Sequence, residues 1–391
     1  MKLLVLCERV DDEGGTESYL RSLLPALAAS GDDVRVLARS ARRPDAYGVP
    51  AEAIAWSDEH DPPSAAAASA VSQAARAFGP DTVAIHNVLD AAVLHAASLS
   101  GARVAFHVHD HRPFCPNGDR LYPQGGGICG IPMSVAGCGF HSLVHGCAYG
   151  PRPRTVGLVR SRERVANCVR SFGATIVFSQ YVANLARRNG VDAARVRLLR
   201  PPLADAAYAS QLAPRPDRDA VLFAGRVMPS KGARSLVRAV ACLPGASRPL
   251  VRIAGEGPDL APALDEARAR GVAVEALGRL SDDALRDAYD AASIVAMPST
   301  WGEPFGLVGI EAFARGRPAV AYDSGGIGEW LTPECGALVP RGDETAFAEA
   351  ILATLQPVRW EAASAAAFVT ATHYRLGDHV ERLRAIYEGA A

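Results

Sequence analysis

Ser299-Thr-Trp-Gly-Glu303-Pro304-Phe305-Gly306-Leu307-Val308-Gly-Ile-Glu311-Ala-Phe-Ala is the stretch whose reading decides the fold. Ahead of it, Ala292-Ser-Ile-Val-Ala-Met-Pro298 reads as a short buried strand. Behind it, apolar residues fall at helical spacing, at Phe305, Val308, Ala312 and Phe313. Pro304 suits the first turn of a helix, where its missing N–H costs nothing. The segment predicts a strand, a tight loop and a helix whose free N–H groups open onto the end of a sheet, which is a phosphate site. Glu303 and Glu311 stand eight residues apart. Eight residues of helix span roughly 12 Å. The two carboxylates therefore cannot touch one atom, but they can touch two parts of an extended ligand, such as a sugar and a ribose across a diphosphate.

Outward from this segment, strand and helix patterns alternate along the chain. Lys2–Cys7 reads as an apolar strand, and Leu20, Leu23, Leu24 and Leu27 share one face of the helix that follows. Further strands are expected at 34–38, 82–85, 104–108, 174–178 and 196–199, with helices at 64–78 and 156–169. A proline-dense break, Arg200-Pro-Pro-Leu and then Gln211-Leu-Ala-Pro-Arg-Pro, separates this series from a second one. That series has strands at 221–224, 250–254, 272–276, 294–297 and 319–322, and helices at 235–243 and 282–291. A helical tract follows from about Asp343. Such alternation predicts parallel sheets covered by helices on both faces. The fold class is α/β, with two doubly wound, Rossmann-like domains facing a central cleft. The expected boundaries are 1–203, 204–370 and a helix at 371–391 packing back on the first domain.

Composition agrees with two globular domains in 391 residues, 49% hydrophobic and 21% charged. A net charge of -1 gives no field that draws nucleic acid. Peripheral membrane contact is open but not indicated. No apolar run reaches the length of a signal peptide or a spanning helix, so the expected location is cytoplasmic.

Five constellations carry chemistry. Gly225-Arg226-Val-Met-Pro-Ser-Lys231-Gly232 follows a strand and puts two cations five apart on one loop, able to converge on a diphosphate. Gly14-Gly15-Thr16-Glu17 follows the first strand and allows close backbone approach to a ligand, although it lacks the third glycine of the dinucleotide fingerprint. Phe106-His107-Val108-His109-Asp110-His111 places three histidines at a strand end, read as one working His and two bystanders, with a metal site as the other reading. Cys115, Cys129, Cys138 and Cys147 lie in a glycine-rich insertion at about 112–153, where four thiolates could hold a structural zinc. A disulfide and unlinked thiols are the alternatives. Arg152, Arg154, Arg160, Arg162, Arg164 and Arg170 read as a solvated helix face, with an anionic acceptor or lipid surface as the rival reading.

Taken together these residues resemble glycosyltransferase family four, retaining enzymes of the GT-B fold, over most of the chain. Gly225, Arg226, Lys231 and Gly232 look like its diphosphate clamp. Ile253-Ala-Gly-Glu-Gly-Pro258 and Leu277-Gly278-Arg279-Leu280 look like its nucleotide-domain turns. Glu303-Pro-Phe-Gly-Leu-Val-Gly-Ile-Glu311 resembles its carboxylate pair, and Ser324-Gly-Gly-Ile-Gly-Glu329 completes the series. The resemblance implies transfer of a sugar from a UDP- or GDP-linked donor to a small-molecule or glycan acceptor. It implies donor contacts from Gly14, Gly15, Gly225, Arg226, Lys231, Gly278, Leu280, Glu303, Pro304, Phe305, Gly306, Leu307, Val308 and Glu311. Glu17, His109 and Asp110 fall on the acceptor side, and His109, Glu303, Arg226 and Lys231 are the catalytic set. No cofactor is required for this chemistry. An epimerase or phosphorylase of the same fold, or a nucleotide-sugar binder without activity, are the alternatives; a phosphorylase would need a Schiff-base lysine, and the loop position of Lys231 does not suit that role.

Overall fold

A computed structural model describes residues 1–11, 14–56, 63–122, 127–147 and 152–390, with side chains from 156 onward in the last stretch. The chain divides into two compact units, Met1–Pro202 with Leu376–Ala391, and Leu203–Arg375.

In the first unit the strands are β1 (Lys2–Val10), β2 (Asp33–Ala41), β3 (Ala51–Ala53), β4 (Thr82–His86), β5 (Arg103–Val108), β6 (Ala174–Val177) and β7 (Val196–Leu198). They form one parallel sheet in the order β3-β2-β1-β4-β5-β6-β7. β4 is buried along its whole length, as a central strand covered on both faces must be. The core gathers Leu4, Leu6, Val83, Ile85 and Phe106 from the strands with Val71, Val93 and Val165 from the helices. The chain returns to this unit through the helix Leu376–Glu388, which buries His379, Val380, Leu383 and Tyr387.

In the second unit the strands are β8 (Ala220–Ala224), β9 (Leu250–Ala254), β10 (Val274–Gly278), β11 (Ile294–Met297), β12 (Ala319–Tyr322) and β13 (Gly336–Val339). Their parallel order is β10-β9-β8-β11-β12-β13. Val221, Phe223, Ile253, Ile294 and Val320 pack there against Leu236, Val240, Phe347 and Ile351.

Several expectations shift. β10 begins later than the apolar run at Val272 suggests, because the Val272 N–H bonds back to Ala267 O at 2.9 Å and closes the preceding helix. The helix after Glu303 begins at Leu307, not at Pro304, with Gly306 as its N-cap at φ 90. The glycine-rich insertion contains a helix, Val135–His145, that composition conceals. Its first turn is closed by Ser134 Oγ, which accepts from Gly137 N, and by Glu163, which accepts from Val135 N.

Candidate functional site

The order of the second sheet reverses between β8 and β11. Loops that leave the carboxyl ends of two such neighbouring strands diverge and open a crevice, where ligands bind in doubly wound sheets. The β8 loop carries Gly225, Arg226 and Lys231, and the β11 loop carries Ser299 and Glu303. The β8 loop is fixed by backbone pairing to the next one: Gly225 N donates to Ala254 O at 2.9 Å and Val227 N to Glu256 O at 2.8 Å. This approach requires glycine at 255, where φ is +148 and a Cβ would lie 1.9 Å from Gly225 O.

Glu303 is 5% exposed. Lys231 Nζ donates to its Oε1 at 2.7 Å, and Ser299 Oγ donates to the same oxygen at 2.6 Å. Burial pushes the Glu303 carboxyl up, but the Lys231 charge and its hydrogen bonds outweigh burial and hold it below the usual range. Lys231 lies 4.8 Å above the Trp301 ring. Its ammonium keeps two donors for a ligand. Arg226 is exposed, and among the described residues no ion pair restrains it. Glu303 is itself braced by the glycine turn after β12. Gly326 N donates to Glu303 O at 2.8 Å. At Gly325, with φ +66, a Cβ would stand 2.2 Å from that oxygen.

The N–H groups of Leu307 and Val308 begin a helix and have no acceptor within it. Pro304 and Phe305 are buried beneath, with the Phe305 carbonyl taken by Trp330 Nε1 at 2.7 Å. Glu311 sits one turn further on. Tyr289 Oη donates to its Oε2 at 2.8 Å, and burial raises the Glu311 carboxyl. Gly278 ends β10 and gives its carbonyl to Gly255 N at 2.7 Å. Leu280 follows it, half-buried. Sequence reasoning passed over Ser299 and Tyr289, which fix the two carboxylates. Ser299 opens the quoted segment, and a hydroxyl four residues before a buried Glu was the available signal.

In the first unit the sheet order reverses between β1 and β4. Gly14 and Gly15 follow β1 and open the helix Gly15–Ala29. The Glu17 carboxylate does not project freely. It is 6% exposed, accepts from Arg9 Nε at 3.2 Å, and occupies the space beside Gly14 where a Cβ would meet Oε2 at 2.3 Å. Asn87, after β4, was missed. It holds φ 57, rare for a non-glycine residue, while its Nδ2 donates to Thr16 Oγ1 at 2.8 Å.

His109 is half-buried just beyond β5, and its Nε2 lies 2.9 Å from Nδ1 of the fully buried His86. Burial lowers His109 to about 3; Asp110 pulls the other way and Arg112 reinforces the fall. Asp110 itself accepts from Arg112 N and Nε, at 2.9 and 2.8 Å. The two supposed bystanders are core residues: His107 and His111 are 0% exposed. His107 Nε2 meets Tyr387 Oη at 2.8 Å, and His111 packs edge-on to Tyr181. His86, His107 and His109 do bring one ligand atom each within 4.8 Å of one another. However, His86 and His107 are stacked at 4.0 Å, and a hydrogen bond already joins His86 to His109.

The four cysteines of the insertion are free thiols. They lie close enough for Cys138 to feel Cys115, Cys129 and Cys147, although among the described residues the histidine group alone places three ligand atoms within 4.8 Å of one another. Burial first, then the neighbouring cysteines, raises Cys138 to about 11. Within the segment the Tyr122 ring lies 4.5 Å from His145 and 5.1 Å from His141. The arginine row is not uniformly solvated either. Arg160 and Arg164 are exposed, but Arg162 is fully buried, and Arg170 Nε donates to Asn189 O at 2.6 Å. The side chains of Arg152 and Arg154 lie outside the described residues. No described helix is long and apolar enough to cross a membrane.

Comparison with known proteins gives a consistent set. The family model described as Glycosyltransferase Family 4 matches residues 13–204, and that described as Glycosyl transferases group 1 matches residues 218–357. The chain is 33% identical over 234 residues to the D-inositol 3-phosphate glycosyltransferase of Nocardia farcinica, covering 55% of this chain and 50% of that protein. It is 30% identical over 342 residues to the glycogen synthase of Mycobacterium tuberculosis, covering 81% and 76%. The chain spans about half the length of the first of these relatives. Among solved structures, Anabaena HepE in complex with UDP aligns at a TM-score of 0.76 with 19% identity over 100% of both chains. The sucrose-phosphate synthase of Thermosynechococcus elongatus aligns at 0.70 with 20% identity, over 100% of this chain and 99% of that one. At such identities the likeness is one of fold, and that fold is GT-B.

Proposed function

Because this chain belongs to glycosyltransferase family 4, we propose that it moves a sugar from a nucleotide diphosphate donor, UDP- or GDP-linked, to a hydroxyl or amine of a small-molecule or glycan acceptor, with retention at the anomeric carbon. The observation that carries this reading is the buried Glu303 carboxylate held by Lys231 at 2.7 Å where the second sheet reverses, beside the free N–H groups of a helix start. HepE, of the same fold, has been solved with UDP and with UDP-glucose, which supports a nucleotide-sugar donor here.

Arg226, Lys231 and the N–H groups of Leu307 and Val308 receive the diphosphate. The bond from the anomeric carbon to the diphosphate oxygen breaks with its electron pair staying on the diphosphate. The acceptor heteroatom bonds to that carbon, and its proton passes to the departing phosphate oxygen. Negative charge grows on the leaving group, so preorganised cations and N–H groups lower the barrier most there. Glu311 takes the ribose hydroxyls, and Glu303 sits beside the transferred sugar. Glu17, His109 and Asp110 stand on the acceptor side, and no metal enters the chemistry. A cytoplasmic location belongs to the same reading, and cell fractionation tests it.

The test is nucleotide release. One of UDP or GDP should raise the thermal midpoint of the purified chain, and the matching sugar nucleotide should yield free nucleoside diphosphate when an acceptor panel is supplied. No stabilisation by either nucleotide, together with no release from any donor, rejects the reading.

A further inference from the structure

We propose that His86 is a positioning residue that fixes the tautomer of His109, donating from its Nδ1 to His109 Nε2 so that His109 carries its own proton on Nδ1 and meets substrate as a hydrogen-bond donor. The functional half of this inference rests on the acceptor-side reading of His109.

The argument begins with the 2.9 Å contact between His86 Nδ1 and His109 Nε2. Two neutral imidazoles in such a contact share one proton between those nitrogens, so one tautomer dictates the other. Both rings are neutral at neutral pH, since burial lowers each of them. The far nitrogen of His86, Nε2, is buried and has no partner among the described residues. If His86 carried its proton there, an N–H would be sealed away without an acceptor, the costly arrangement that folded proteins avoid. With the proton on Nδ1, that N–H is spent on His109 and only a lone pair is left idle. His109 Nε2 is then the acceptor, and Nδ1–H is the nitrogen left for a bound molecule.

His86 cannot swing away from this arrangement. Its ring stacks on His107 at 4.0 Å, and His107 is tethered to Tyr387 of the C-terminal helix at 2.8 Å. Tyr19 stands 5.3 Å from the His109 ring, edge-on, and is itself bonded to His379 Nε2 at 2.9 Å. The His379 tautomer is settled by its other contact. Nδ1 lies 2.8 Å from the Arg200 carbonyl, which only accepts, so Nε2 is unprotonated and Tyr19 Oη donates to it. His109 is therefore backed by a cage in which the His86–His109 and Tyr19–His379 hydrogen bonds each have a direction.

Long-range nitrogen–proton correlation of the full chain, with His109 assigned by substitution, reads the tautomer directly. The expected pattern is protonated Nδ1 and bare Nε2 at His109. His86→Leu should let both tautomers appear and lower turnover about tenfold, the scale of one neutral hydrogen bond, with the donor KM unchanged. His86→Asn, whose side-chain N–H can replace Nδ1–H, should restore the Nδ1–H pattern and most of the lost turnover. A proton on His109 Nε2 in the unmodified chain overturns the assignment, even if His86→Leu fails to fold. Normal turnover in a folded His86→Leu protein overturns the positioning role. Full turnover in His109→Ala would instead sink the acceptor-side reading, while the spectrum alone still judges the tautomer.

Discussion

Lys231 Nζ stands 2.7 Å from Glu303 Oε1, a contact between residues 72 positions apart that binds the β8 loop to the β11 loop. Lys231 keeps 24% of its side chain exposed and Glu303 only 6%. The carboxylate therefore depends on the ammonium more than the reverse, and neither can be altered alone without stranding the other.

Lys231→Ala should lower stability by about 2–4 kcal/mol, because it leaves a buried carboxylate uncompensated. Turnover should fall roughly 10²–10³-fold, the loss seen when one charge-stabilising donor is removed. The double variant Lys231→Met with Glu303→Gln should be more stable than Lys231→Ala, since no buried charge is then left unpaired. Urea unfolding of the singles and the double tests this; additive losses would mean that the pair does not couple.

Arg226→Ala should behave differently. Its side chain is exposed and unrestrained among the described residues. Turnover should fall roughly 10²-fold or more while the urea midpoint stays within about 0.5 kcal/mol of the parent. A large stability loss with normal turnover would remove Arg226 from the diphosphate clamp.

Glu311→Gln should weaken binding of the free nucleoside diphosphate, because an amide accepts from two ribose hydroxyls less well than a carboxylate. Burial raises the Glu311 carboxyl, so affinity in the parent should begin to fall at a higher pH than an ordinary carboxylate would give. Calorimetric titration across pH measures both effects. Equal affinity for parent and variant would place the ribose elsewhere.

The buried histidines predict how stability depends on pH. Burial lowers His109 to about 3 and His379 to about 4, and places His86 and His107 well below 6.5. Above pH 6.5 these groups are neutral in both states and their packing contributes fully. As pH drops below 6.5 the unfolded chain takes up protons that the folded chain refuses, so stability falls toward the folded values. Each such histidine adds up to about 1.4 kcal/mol per pH unit. Unfolding free energy should decline between pH 7 and pH 5, and His379→Gln should make the decline shallower. A flat profile over that range would mean that the cluster is protonated in the folded chain.

The chain's local patterns set much of this molecule. The apolar runs at 250–254, 294–297 and 319–322 fall where β9, β11 and β12 do. The loop after β11 is legible in Glu303 and the glycines around it, because turn chemistry is written in adjacent residues. Gly306 hides the true helix start, since a proline two residues earlier sends an equally valid local signal. The Val135–His145 helix is hidden in the same way by Gly137 and Gly139, which cost helix propensity, while its first turn is closed by Ser134 and Glu163. What the chain could not display locally is which loops meet. Lys231 reaches Glu303 only because β8 lies beside β11, with β9 and β10 placed on the far side. His86 reaches His109 because β4 lies beside β5, and Tyr387 reaches His107 because the last helix returns to the first unit. Periodicity reports which face of an element is buried, whereas strand order is chosen by the packing of the whole sheet. The candidate residues were thus determined by sequence, and their partners and protonation states by tertiary structure.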